Sequence, residues 1–239
     1  MSVASRPQTQ KATIRTLRYE RKFLVSDLTH HEIMRIVRTH PAMFREIYSP
    51  RQVNNLYFDT HDIRHYADNL SGLAERTKVR LRWYGDLFGM VSRPTLEVKG
   101  KEGVASWKES YPLTELRYPP GGAYDIRSLI SERLDASDRV RWRFEVLNAT
   151  LLNSYSRQYF LSATGEFRLT IDKSVKYYRV GLSGEPYLEQ LCDDESLIVE
   201  LKYKADADQL AENVSSHLPF LVTKSSKYAA GMGRFNDEI

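Results

Sequence analysis

The chain has 239 residues, 41% hydrophobic and 28% charged, with 35 Lys+Arg against 31 Asp+Glu for a formal charge of +4. These values sit near globular averages and exclude a disordered or fibrous chain, and so mild a basic excess does not by itself call for nucleic acid or an anionic membrane. A single cysteine, Cys192, rules out an internal disulfide, and no apolar run reaches the roughly 18–20 residues that span a bilayer, so a cytoplasmic location is expected.

Residues 1–17 contain no acid, and residues 1–15 are read as a flexible leader ahead of a single domain at 16–239. Residues 16–25 alternate as a strand ending at Ser26-Asp27, and residues 29–39 have helical spacing through Ile33, Met34, Ile36 and Val37. A second strand is predicted at 52–58, stopped by Asp59-Thr60, with a short polar helix or turn at 62–69. Extended runs at 76–84, 94–101 and 106–113, punctuated by Gly85, Gly89, Gly100 and Gly103, predict an antiparallel meander. After the loop Pro119-Pro120-Gly121-Gly122 comes a helix at 123–133, then strands at 148–161, 167–178 and 196–203, a helix at 206–216 and a Lys/Ser-rich tail around 224–227. No repeat, low-complexity tract or heptad run is present.

Residues two apart in a strand share a face. Glu20 and Lys22 therefore share one, as do Arg80 and Arg82, Glu97 with Lys99 and Lys101, Arg168 with Thr170 and Asp172, and Glu200 with Lys202. Between them stand Val79, Leu81, Trp83, Leu96, Val98, Leu169, Ile171, Val199, Leu201 and Tyr203. Any one such strand reads as half-buried with a wet outer face. Repetition of Glu-x-Lys and Arg-x-Arg argues instead for an α+β, mostly β fold: a closed eight-stranded antiparallel barrel with a few helices outside and the charged faces turned inward.

Two like charges about 5 Å apart at an effective dielectric near 20 repel by roughly 3 kcal/mol, so crowded inward cations need acidic neighbours or a polyanion. Arginine matches phosphate oxygens bidentately and lysine supplies a movable charge. A polyphosphate arrives with Mg²⁺ or Mn²⁺, hard cations that take carboxylate and phosphate oxygens, which gives Glu20, Glu97 and Glu200 a metal-holding role.

Eight segments carry a family resemblance: Arg18-Tyr-Glu-Arg-Lys22-Phe, Asn55-Leu-Tyr-Phe-Asp59-Thr, Lys78-Val-Arg-Leu-Arg-Trp-Tyr84, Leu96-Glu-Val-Lys99, Ser154-Tyr-Ser-Arg-Gln-Tyr159, Arg168-Leu-Thr-Ile-Asp172, Val199-Glu-Leu-Lys202-Tyr and Lys224-Ser-Ser-Lys-Tyr228. In this order they resemble the VTC domain, the polyphosphate polymerase module of the vacuolar transporter chaperone complex, within the CYTH or triphosphate tunnel metalloenzyme superfamily. The resemblance implies a tunnel in which the γ-phosphate of ATP or another triphosphate passes to a growing inorganic polyphosphate chain with Mn²⁺ or Mg²⁺. It implies phosphate-binding roles for Lys22, Arg80, Arg82, Lys99, Lys108, Arg157, Arg168, Lys202, Lys224 and Lys227. Of these, Lys22, Arg80, Arg82, Lys99 and Lys202 are the candidate catalytic set. Hydrogen bonds to phosphate would come from Tyr155 and Ser226, and Glu200 would be the main metal ligand. Where the superfamily's first strand carries Glu-x-Glu-x-Lys, Arg18 replaces the first glutamate, the VTC-like form, which weakens a two-metal triphosphatase.

Other readings compete. The six histidines fall mostly in predicted helices or turns, Ser225 and Ser226 lie in no Gly-x-Ser-x-Gly elbow, and there is no Walker loop. The 15 tyrosines open a non-enzymatic reading as a nucleic-acid-binding barrel, against which Trp83 and Tyr203 alternate away from the charged positions. A triphosphatase that hydrolyses tripolyphosphate or nucleotides, and a tunnel that binds without turnover, are the remaining alternatives.

Overall fold

The computed structural model describes residues 18–102, 105–121, 125–181 and 184–236; the expected leader at 1–15 lies outside them. In chain order the elements are β1 (Arg18–Val25), α1 (His30–Thr39), β2 (Arg45–Asp59), α2 (Arg64–Leu70), β3 (Arg76–Tyr84), β4 (Gly89–Val91), β5 (Thr95–Glu102), β6 (Ala105–Pro112) and β7 (Leu116–Tyr118). There follow α3 (Ile126–Arg133), α4 (Asp138–Glu145), β8 (Asn148–Leu161), β9 (Arg168–Val180), β10 (Pro186–Asp193), β11 (Leu197–Lys204), α5 (Asp208–Ser216) and α6 (Lys227–Asn236).

The main sheet runs β1-β11-β9-β8-β2-β3-β5-β6 with every pair antiparallel, β10 adding to β9, while β4 and β7 form a separate ribbon. It curls strongly but is an open half-barrel, which corrects the closed barrel expected from sequence. Among the described residues β1 and β6 do not pair. The outer edge of β1 is instead taken by the chain leading into α6: Phe23 bridges Val222, the Thr223 amide donates to the Lys22 carbonyl at 2.7 Å, and the Leu24 amide donates to Thr223 Oγ1 at 3.0 Å. An edge already satisfied by a covering segment has no call for a further strand.

Apolar residues of the strands face the convex side in two clusters. Leu56, Phe58, Leu81, Trp83, Leu96 and Leu152 pack under α3, α4 and the β4–β7 ribbon, through Ile126, Ile130, Phe144 and Tyr118. Phe23, Leu169, Ile171, Val199 and Leu201 pack under α1 and α5, through Ile33, Met34, Val37 and Ala211. Helix α1 starts where it does because Thr29 and Glu32 close a capping box over its first turn.

The concave side is not charged throughout, as strict alternation had implied. Ser174, at φ 51°, interrupts β9 where its register with β8 shifts, so Asp172 and then Val175 and Tyr177 all point inward. Helix α6 lies against these residues, seating Tyr228, Met232 and Phe235 on Tyr57, Leu151, Tyr155 and Tyr177. Its Gly231 is required by the close approach: a Cβ there would sit 2.6 Å from Leu151 and Tyr177 side-chain carbons. Buried Asp59, at the end of β2, pins the same helix by accepting from Tyr228 Oη at 2.5 Å, and also caps α2 through the His65 and Tyr66 amides.

Candidate functional site

Beyond α6 the concave face carries charge. Lys99 of β5 feels Lys202 of β11, and Lys78 of β3 feels Lys22 of β1, pairs from strands far apart in the sheet order. The curl therefore converges them, and three carboxylate-centred networks organise the cations.

Glu97 takes Arg80 Nε and Nη2 at 2.8 and 2.6 Å, accepts from Lys108 Nζ, and has Arg82 Nη1 at 3.7 Å. Asp172 holds Arg157 in a fork at 2.5 and 2.6 Å and Lys227 at 2.5 Å. Glu200 meets Lys202 at 2.9 Å, Arg157 at 3.3 Å and Lys22 at 3.6 Å, and Glu20 joins it by pairing with Lys22 at 2.8 Å. Arg82 donates to Asn55 Oδ1 at 2.9 Å and reaches Tyr155 Oη at 3.5 Å, while Lys227 and Arg157 lie over the Tyr155 ring.

Burial alone pushes Glu97 up, but Arg80, Arg82 and Lys108 outweigh it and hold the carboxyl below its ordinary range. Glu200 behaves alike: burial is overcome by Lys202, Arg157 and Lys22, and the carboxyl is held well down. Lys22 is lifted because Glu200 and Glu20 exceed its desolvation. Lys99 moves the other way: Arg80 first, then burial, then Lys202 depress it well below an ordinary lysine, though water reaches its side chain. Lys78 falls to about 7, through burial and then Lys22, Arg76 and Arg80, with Glu20 opposing. Where Lys78, Lys99 and Lys108 are pressed to give up protons the face is under-neutralised by its own acids, the condition a polyanion relieves.

The sequence-predicted residues Lys22, Arg80, Arg82, Lys99, Lys108, Tyr155, Arg157, Lys202, Ser226 and Lys227, with Glu20, Glu97 and Glu200, are brought to this one face. Two stand apart: Arg168 is exposed at the rim, opposite Lys202 in register, and Lys224 is exposed with no ion pair among the described residues. Sequence reasoning left out Lys78, which donates to Ser226 Oγ at 2.9 Å, and the orienting partners Asp172 and Asn55. The signal for Lys78 was present, since it lies two residues before Arg80 on one strand face.

A lysine at about 7 makes polyanion binding pH-dependent. Phosphate favours the ammonium form, so above pH 7 binding takes up a proton at Lys78, and tripolyphosphate affinity between pH 7 and 9 should fall relative to a variant whose cation there does not titrate. Titration calorimetry in two buffers of different ionisation enthalpy should show that uptake, and Lys78→Arg should reduce both the uptake and the pH slope. A wild-type pH slope equal to that of Lys78→Arg would contradict the arrangement. For the free protein the sign is set by the depressed folded value: the unfolded chain holds the extra proton between about 7 and the ordinary lysine range, so this group's contribution to stability rises with pH across that window.

Among the described residues no three His, Cys, Asp or Glu side chains form a metal cluster. Glu20 and Glu200 converge, bridged by Lys22 and Lys202, while Asp172, which shares Arg157 with Glu200, has both oxygens taken by the Arg157 fork and Lys227. Two carboxylates fit a hard divalent ion that completes its shell with phosphate oxygens and water. The cleft beside α1 that contains His40 and His217 is separate, and both rings are committed to the Val214 and Asn213 carbonyls.

A curled antiparallel sheet that gathers interleaved cations and carboxylates on its concave side presents the chemistry a polyanion would suit. The chain belongs to the VTC domain family, whose model matches residues 17–236. No curated protein matches it significantly in sequence. Among solved structures, it is similar to HpAC1 from Hippeastrum, described as having a dominant triphosphatase activity, at 17% identity and a TM-score of 0.50, covering 90% of this chain and 95% of that one. A candidate adenylate cyclase from Vibrio parahaemolyticus aligns at 16% identity and 0.46 over 85% of each chain. The PH1819 protein of Pyrococcus horikoshii aligns at 11% and 0.47 over 90% of this chain and 99% of that one. Among the described residues no helix is long and apolar enough to cross a membrane, which says nothing of a β-barrel.

Proposed function

We propose that this chain is a divalent-metal-dependent polyphosphate polymerase, one tunnel domain over residues 16–239 that works in the cytoplasm and passes the γ-phosphate of ATP to inorganic polyphosphate. The observation that carries the reading is the concave face itself, where cations outnumber the carboxylates that orient them and several lysines are held below their ordinary range. Membership of the VTC domain family supports it.

In this reading Arg80, Arg82 and Arg157 grip phosphate oxygens, with Glu97, Asn55 and Asp172 fixing their forks. Lys22, Lys99 and Lys202 neutralise the charge that builds as the bond from γ-phosphorus to the β–γ bridging oxygen breaks and a terminal polyphosphate oxygen bonds to that phosphorus. Glu20 and Glu200 would hold Mn²⁺ or Mg²⁺, which when bound would screen phosphate charge. Glu97, occupied by Arg80 and Lys108, serves as an orienting carboxylate.

Purified protein incubated with ATP and Mn²⁺ is expected to yield a ladder of polyphosphate on a gel. Orthophosphate without chains would assign hydrolysis instead, the runner-up favoured by the fold likeness to HpAC1. Binding with no turnover would leave a non-catalytic polyphosphate or nucleotide module.

A further inference from the structure

At the end of the concave face opposite Asp59 and α6, four side chains form a cluster that the phosphate chemistry does not use. The Arg51 guanidinium lies over the Tyr48 ring at 4.4 Å, with the Tyr159 and Tyr84 rings at 5.7 and 5.8 Å. Their convergence depends on an irregularity of β2. Tyr48 pairs with Tyr159 and Arg51 with Arg157, so three steps on β2 match two on β8, and the bulge at Ser49-Pro50 turns both side chains to one face. Without it, residues three apart would point to opposite faces.

The cluster is continuous with the cradle. Arg51 is the cross-strand partner of Arg157, and Tyr84, Arg82 and Arg80 stand along one face of β3 at steps of about 7 Å. Tyr48 and Tyr84 are 50% and 47% exposed, although burial of such rings would be favourable, so both keep aromatic surface in water beyond what Arg51 covers. We propose that this rim is the subsite for the nucleobase of a nucleoside triphosphate, whose phosphates then run inward onto Arg82, Arg157 and Arg80. Three aromatic rings around one guanidinium suit a flat heterocycle, whereas a bare phosphate chain leaving by this mouth calls for cations without rings. Stacking of this kind is tolerant of base identity and stronger for the larger ring, so purine nucleotides bind ahead of pyrimidine ones.

The inference rests on the triphosphate reading of the tunnel, and the test separates the two. Calorimetry on the full chain with Mg²⁺ compares ATP, CTP and inorganic tripolyphosphate against wild type, Arg51→Ala, Tyr84→Ala and Tyr84→Phe. All three substitutions are at exposed positions, and thermal melts check folding. Expected results are a loss of ATP affinity of at least fivefold in each alanine variant, tripolyphosphate affinity within twofold of wild type, retention in Tyr84→Phe, and ATP ahead of CTP. Equal losses for ATP and tripolyphosphate, or no loss for either, would overturn the base subsite alone. Wild type that binds neither ligand would remove the triphosphate reading with it. A single-stranded RNA oligomer that depends on Arg51 and Tyr84 more than ATP does would reassign the rim to nucleic acid and overturn the proposal.

Discussion

Glu200→Gln should lower metal-dependent turnover by about 10²–10³-fold, the range seen when one preorganised electrostatic group is removed from a charged transition state. The amide keeps the shape of the side chain but not the anion that faces Lys202, Arg157 and Lys22. With Glu20 alone left at the convergence point, a divalent ion loses one of its two protein oxygens. The same change makes the face more positive, so metal-free binding of tripolyphosphate should strengthen while activity falls. These opposite signs distinguish a metal-holding carboxylate from a merely structural one, whose loss would weaken both. Calorimetry in EDTA and a Mn²⁺ titration of turnover read the two arms, and Mn²⁺-stimulated activity retained in the variant would remove Glu200 from the site.

The concave cradle was legible because period-two alternation survives in the strands that carry it: Arg80 with Arg82 in β3 and Glu200 with Lys202 in β11 need only the pleat to share a face. What alternation could not show is where it fails. The Ser174 irregularity flips the inward set of β9 from charged to aromatic, and the Ser49-Pro50 bulge brings Arg51 and Tyr48 together, and neither changes composition. Residues 45–51 were missed as strand because they are mostly exposed, leaving no apolar face to set a period. Helix α6 was missed because its glycines and small residues read as tail, and its inward packing depends on that smallness at Gly231. Closure was over-read for a related reason: strand count says nothing about which segment satisfies the edge of β1. The aromatic–cation argument against base stacking rested on Trp83 and Tyr203, which are convex as read, and did not weigh the tyrosines that the Ser49-Pro50 bulge gathers around Arg51.

Arg157→Leu should destabilise the protein by about 3–5 kcal/mol, the cost of breaking a buried ion pair from one side. Asp172 has no side-chain exposure, and both its oxygens are in the Arg157 fork; after the change Lys227 is its remaining ion partner, and Glu200 loses a donor too. Leucine replaces the packing but cannot satisfy a carboxylate. The pH dependence gives this a second, independent signature. In wild type burial pushes Asp172 up, and Arg157 and Lys227 more than offset that and hold it below its ordinary value. Removing Arg157 lets burial raise the folded value, so the variant's deficit is full wherever the carboxylate is ionised in both proteins. It shrinks as pH falls through the variant's higher value toward the wild-type one, because a protonated Asp172 no longer needs the guanidinium. Urea unfolding of both proteins at pH 7 and pH 4 should therefore show a smaller difference at pH 4. A deficit below 1 kcal/mol at pH 7, or one unchanged by acid, would mean that Asp172 is satisfied without Arg157 and that the fork does not fix the guanidinium for phosphate.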